Sequence, residues 1–318
     1  MSENKDCSIC KKSSIGGQAL LEGVMMRGPE KSAMAVRKPD GEIDLEIWDM
    51  PKPKWYKKVP FLRGPVNFVD SMITGYKCLM KSADKAMDGL PEEEPSKFEK
   101  WLTDKLGDKL MGIVMVIASV LGVALALGLF IYLPALITKG ISLLIPAMSD
   151  FVKTCIEGII KMAIFIGYMW ATSLMNDIKR TYEYHGAEHK TIATYEHGEE
   201  LTVENVKKHS RFHPRCGTSF MFLVLFISII VFTVLQVPWD VIWLRALIKL
   251  ITLPIIVAIA YEIIKLAGRY DNLATRIISA PGLWIQRLTT REPDESQIEC
   301  AIAAFKPCIP EDQQKDQW

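Results

Sequence analysis

Four stretches of the chain, 110–133, 155–175, 218–237 and 244–267, are predominantly apolar over about the length a helix needs to cross a bilayer. The first carries no charge and ends before Pro134, which predicts a span closing there. Residues 135–148 are apolar but short and contain Pro146, so they read as interfacial or re-entrant. The second span holds Glu157 and Lys161, four apart on one helical face, where they can pair. Trp239 and Trp243 fall in the turn between the third and fourth spans, where an aromatic belt belongs.

The polar parts have patterns of their own. Residues 32–49 predict a hairpin: Pro39-Asp40-Gly41 is turn chemistry, and Ile43, Leu45 and Ile47 then alternate with acidic residues. Residues 15–30 are apolar and punctuated by glycines, which suggests turns or close backbone approach. Glu22 and Arg27 are the polar residues there and are expected to form a structural ion pair. From 65 to 87 the apolar positions recur at three- and four-residue steps, which predicts an amphipathic helix. An interfacial helix is expected over 272–290, interrupted by Pro281. From Glu292 the tail is polar, with a short helical piece near 298–305.

These elements describe a mainly α-helical polytopic membrane protein. About four transmembrane helices follow an N-terminal cytoplasmic α+β segment containing a β-hairpin. The expected divisions are a flexible tail (1–14), the α+β region (15–100), the four-span domain (101–290) with a polar segment at 176–217, and a C-terminal polar tail (291–318).

Composition agrees: 49% of residues are hydrophobic, yet 24% are charged. The net charge of +1 says little about partners, because the charges are unevenly spread. Between spans two and three lie Lys179, Arg180, Lys190, Lys207, Lys208, Arg211 and Arg215; between one and two, only Lys139 and Lys153. The tail after span four adds Arg269, Arg276, Arg287 and Arg291. Positive residues favour the cytoplasmic side, so both termini and the 176–217 segment are expected in the cytoplasm of a multi-pass protein of the cell's inner membrane. No apolar signal segment stands near Met1. Seven scattered cysteines do not form a secreted disulfide framework, and Cys7-Ser-Ile-Cys10 lacks the second pair of a zinc ribbon. Nucleic-acid binding has no support beyond basic residues that the charge asymmetry explains.

Candidate chemistry gathers in the segment between spans two and three. All five histidines (His185, His189, His197, His209 and His213) fall within 29 residues, and Cys216 follows. His185 and His189 would share one face of a helix and could hold one metal. Glu188 completes H-x-x-E-H, the inverzincin order, in which the glutamate activates a metal-bound water. Gly186 weakens a helix at this point. His213 and Cys216 form an H-x-x-C pair, and His209 precedes His213 by four, another same-face spacing. The four ligands His185, His189, His213 and Cys216 would satisfy a tetrahedral zinc; three of them with a water would leave the site catalytic. His197 reads as part of an exposed turn.

Four strings, I-G-G-Q-A-L-L-E-G-V-M-M-R-G-P, Y-H-G-A-E-H-K, L-T-V-E-N-V and H-P-R-C-G-T-S-F, occur in this order. They resemble the YqhQ-like family of bacterial membrane proteins, a domain of unknown function whose members are labelled predicted metal-dependent enzymes. The resemblance covers roughly residues 15–290 and marks His185, Glu188, His189, His213, Arg215 and Cys216, with Glu22 and Arg27. It supplies no reaction.

The reading is a membrane-embedded, hydrolase-like metalloenzyme at the cytoplasmic face, with a divalent metal, zinc first and iron as the alternative. Glu188 is its general base, and Arg215, Arg211 and Lys190 are placed to hold an anionic group. A lipid-linked or peptide substrate suits a site at the bilayer edge. The competing readings are a non-enzymatic scaffold, assembly factor or transporter component with a structural zinc, working with a membrane-protein partner, and a membrane di-iron oxygenase, for which five histidines are few.

Overall fold

The computed structural model describes residues 11–88, 110–237, 239–270 and 272–316. The Cys7/Cys10 pair and most of the acidic linker at 88–97 lie outside them. The chain divides into two compact units. One comprises Met1–Asp88, Tyr168–Ile227 and Pro254–Trp318; the other comprises Gly89–Gly167 and Ser228–Leu253.

The larger unit begins with a four-stranded antiparallel meander in sequence order: β1 (Gly16–Leu20), β2 (Gly23–Arg27), β3 (Lys31–Arg37) and β4 (Ile43–Asp49). The expected hairpin is β3–β4, in register from Lys31 opposite Asp49 to Arg37 opposite Ile43. The glycine-punctuated stretch before it folds as two more strands. Its glycines do mark close approach: a Cβ on Gly23 would stand 2.3 Å from the Ala35 carbonyl oxygen. The turn between β1 and β2 places Glu22 at a φ of 51°. Glu22 does not pair with Arg27; it accepts from both ends of the Arg180 guanidinium and from the Tyr184 hydroxyl at 3.3 Å.

Helix α1 (Arg63–Met87) follows the predicted amphipathic spacing. Helices α5 (Asn176–Glu196), α6 (Val203–Lys208), α9 (Leu273–Thr289) and α10 (Glu295–Phe305) complete the regular structure of this unit outside the spans. Pro281 does not interrupt α9. Nor is the C-terminal tail merely polar. Asp294 and Gln297 form a capping box that starts α10. Ile298, Cys300, Ala301, Phe305 and Cys308 then join Val24, Met26, Ala33 and Ala35 of the sheet and Tyr184, Ala187 and Ile192 of α5 in one apolar core. Ser13 and Ser14, expected in a loose tail, bond to Asp316 at 2.8 and 2.7 Å.

Among the described residues, three helices are long and apolar enough to cross a membrane: Val116–Leu144, Gly217–Leu235 (α7) and Ile242–Arg269 (α8). The pair Asp150–Thr172 (α4) and α5, broken between them, makes a fourth if it is one span. The first runs past its expected stop. Helix α2 (Leu110–Leu127) passes through a π-helical turn, Gly128–Tyr132, into α3 (Leu133–Leu144). Pro134 sits in the first turn of α3, where its missing N–H costs little. Residues 135–144 therefore extend the first span and do not form a separate interfacial element. Within the smaller unit, Glu157 of α4 pairs with Arg245 and Lys249 of α8, not with Lys161.

Candidate metal centre

Helix α5 carries His185, Glu188 and His189, and Gly186 does not break it. A Cβ at Gly186 would lie 2.0 Å from the Arg291 carbonyl oxygen. The helix needs glycine here so that the segment after α9 can pass, with the Arg291 amide donating to the Tyr182 carbonyl at 2.9 Å. That contact brings the end of α9 against His185. Strand β1 lies along the same helix: a Cβ at Gly17 would be 3.0 Å from the Glu188 carboxyl carbon. The third strand of chain is the loop 209–216, ending at Cys216 beside the first turn of α7.

His185, His189 and Cys216 converge, with one ligand atom of each within 4.8 Å of the others. His185 Nε2 is 3.2 Å from Cys216 Sγ, and the two imidazole centroids are 4.4 Å apart. His185 is half-buried; the other two are buried. Each imidazole is fixed from behind. His185 Nδ1 stands 2.8 Å from the Thr289 carbonyl oxygen and His189 Nδ1 stands 2.6 Å from that of Arg211. A carbonyl can only accept, so Nδ1 carries the proton in both rings and Nε2 is the ligating nitrogen. This is the outer-shell bonding that orients histidines toward metals.

The electrostatics are of one piece with the geometry. Burial opposes a charged His185, yet the Cys216 sulfur and Glu188 outweigh it and raise its pKa to about 9. Burial also opposes a Cys216 thiolate, but His185 and His189 hold the thiol well below its usual range. Glu188 is 5% exposed; burial pushes its carboxyl upward against the pull of His185 and His189. The Gly17 amide donates to it, while Oε2 is buried without a hydrogen-bond partner.

The other expected site residues lie elsewhere. The His213 ring is near His189, centroids 5.5 Å apart, but its Nε2 is directed to Glu196 at 3.5 Å and Arg215 at 3.4 Å. Burial lowers its pKa despite Glu196. Arg215 is bonded to Glu196, whose carboxylate also accepts from the Ser13 amide at 2.7 Å. Burial works against that carboxylate, but the His213 bond and Arg215 draw its pKa down. His209 and His213 share no helix, because α6 ends at Lys208. His209 instead faces Glu199 at 3.3 Å and lies against His197, centroids 4.6 Å apart. Lys190 and Arg211 both pair with Glu292.

Three contributors come from outside the histidine segment. Gln286 of α9 accepts from the His213 amide at 2.8 Å and donates to the His213 carbonyl and to Ser219 Oγ at 2.8 and 3.0 Å, tying the loop to α9. Thr289 acts through its carbonyl, and Gly17 by leaving room for Glu188.

The donor set suits a metal: two imidazole nitrogens with settled tautomers, one thiolate and an orphaned carboxylate oxygen beside them. Comparison with known proteins gives one family match and one curated relative, both without an assigned activity. The family model described as "Protein of unknown function (DUF1385)" matches residues 59–311. "Uncharacterized protein YqhQ" of Bacillus subtilis (strain 168) is 33% identical over 302 residues, covering 93% of this chain and 92% of that protein. No solved structure matches the chain.

Proposed function

The chain belongs to the DUF1385 family, and we propose that this member is a multi-pass protein of the cytoplasmic membrane that binds one divalent metal and uses it hydrolytically at the cytoplasmic face. His185, His189 and Cys216 are the ligands. The observation that carries this reading is their convergence with both Nδ1 atoms bound to carbonyls, beside a buried carboxylate oxygen that has no partner. Nitrogen and thiolate donors favour zinc over iron.

When bound, the metal supplies a Lewis acid and a water of lowered pKa. The chain does the rest. The Thr289 and Arg211 carbonyls hold the ligand tautomers. Glu188, positioned by the Gly17 amide and kept from water, accepts a proton at Oε2 and returns it to a leaving group. Exposure on the His185 side gives access to a substrate at the membrane edge, for which a lipid-linked or peptide chain is the fitting class. Arg215 serves by fixing Glu196 and the His213 loop.

A second reading has one observation in its favour. His213 lies close enough to His189 for a turned ring to offer a fourth ligand, which would close the site and make the zinc structural. The metal content of purified full-length protein separates these. About one metal per chain is expected in the wild type, in Glu188→Gln and in His213→Gln. His185→Ala and Cys216→Ser should be nearly empty. Loss of metal in His213→Gln would favour the structural site, and a wild type that takes up no metal would remove both.

A further inference from the structure

The smaller unit holds a second concentration of buried charge, of the opposite sign. Glu157 and Lys161 of α4 and Arg245 and Lys249 of α8 are all 7% exposed or less. Arg245 donates to Glu157 Oε2 from Nε at 3.3 Å and from Nη2 at 2.8 Å, and Nη2 also reaches Thr154 Oγ1 at 3.2 Å. Its Nη1 bonds to the Val237 carbonyl. Lys249 donates to Glu157 Oε1. Both oxygens of the one carboxylate are therefore engaged by two cations.

Lys161 is the surplus. Its Nζ stands 6.0 Å from the Phe232 ring centroid, and that of Lys249 stands 5.6 Å from the same ring. No carboxylate among the described residues pairs with Lys161. Trp239 adds an unused donor. Its ring lies 3.9 Å from the Arg245 guanidinium carbon, and its buried Nε1–H has no acceptor. Two lysines, an arginine, one buried carboxylate and a spare N–H in apolar surroundings form a donor-rich set, with Asp150 the other acid within electrostatic reach of Arg245, and an anion would complete it.

We propose that this cluster binds a phosphate group, presented by an anionic lipid headgroup or as the free ion. A tetrahedral oxyanion presents acceptors in several directions and can accept from two ammonium groups and an indole N–H together. Lys249 is seven residues into α8 and Lys161 eleven into α4, which at about 1.5 Å per residue is roughly 10 and 16 Å from those helix starts. Both starts flank short connections that the charge count assigns to the outer face. The inference is independent of the metal centre, which lies in the other unit.

Thermal unfolding of full-length protein in neutral detergent, at constant chloride, tests it with phosphatidylglycerol or inorganic phosphate as probe. Either should raise the wild-type midpoint by about 2–5 °C. A response to phosphatidylglycerol alone assigns the site to a lipid headgroup, and a response to inorganic phosphate assigns it to the ion. Lys161→Met keeps the volume, leaves no partner stranded and should abolish the gain; Lys161→Arg should keep it. Should Lys161→Met fail to fold, Trp239→Phe, which removes only the N–H, should reduce the gain. The proposal is overturned if neither probe stabilises the wild type, or if Lys161→Met or Trp239→Phe responds as fully as the wild type does.

Discussion

The candidate metal centre and the Glu157 cluster are both largely buried and both polar, but their imbalances run in opposite senses. Around Cys216 the acceptors dominate: two lone-pair nitrogens, a thiolate and an orphaned carboxylate oxygen converge. Around Glu157 the donors dominate: Arg245 and Lys249 share its carboxylate, and Lys161 and the Trp239 N–H have none among the described residues. On the proposed readings a cation would complete the first and an anion the second. Burial alone does not single out a site; the sign of the imbalance says what would fill it.

That contrast can be broken by removing the minority charge or the geometry that holds it. The largest effect is expected for Glu157→Gln, which takes the one carboxylate from three buried cations. It should cost about 3–5 kcal/mol in stability while the metal content per folded chain stays at the wild-type value. Denaturant unfolding beside metal analysis checks both halves, and a loss of metal would show that the two regions are not independent.

Gly186→Ala comes next. Its methyl would meet the Arg291 carbonyl oxygen, a backbone atom that cannot swing aside. Overpacking of this kind costs about 1–3 kcal/mol. Because the same segment holds the Thr289 carbonyl on His185, metal affinity should fall as well, by about 10- to 100-fold. Competition with a chromogenic chelator measures it, and unchanged affinity would mean that the Thr289 contact does not orient the ligand.

Gln286→Ala removes a fully buried side chain that bonds His213 and Ser219. A loss of about 1–3 kcal/mol is expected from the unsatisfied backbone groups of the loop, seen as a lower unfolding midpoint. The smallest change is expected for Glu22→Ala. The Arg180 pair is partly exposed, at 46% and 29% for the two side chains, so no more than about 1 kcal/mol should be lost. A loss several times larger would assign Glu22 a role beyond that pair.

How much of this could be read from the chain depended on how local the determinant was. The hairpin, the amphipathic α1 and the later spans follow from periodicity within one element. The extension past Pro134 did not, since a proline in the first turn of a helix looks the same in sequence as one that stops a helix. Strands β1 and β2 were hidden because their glycines serve close contacts, Gly17 with β2 and Glu188 and Gly23 with β3, not a visible alternation. The helical piece near 298–305 was expected, but its polar neighbours masked its burial: Ile298 and Phe305 are fully buried. In the site, His185 and His189 were legible from a four-residue spacing and Cys216 from its place beside the next span. His213 was grouped with them by nearness in sequence, whereas Glu196 and Arg215 set its direction. Gln286 and Thr289 arrive from another element with no local pattern to mark them, whereas Gly17 lay in the glycine-punctuated stretch expected to make close backbone approach.

The central claim is a three-ligand site with a free coordination position beside Glu188, and cobalt(II) substitution of the full-length protein addresses it without a known substrate. The account predicts a thiolate-to-cobalt band in the near ultraviolet, absent in Cys216→Ser and retained in Glu188→Gln. It also predicts a visible spectrum that shifts when azide is added. A wild type without the thiolate band, or with a spectrum that azide leaves unchanged, would contradict it.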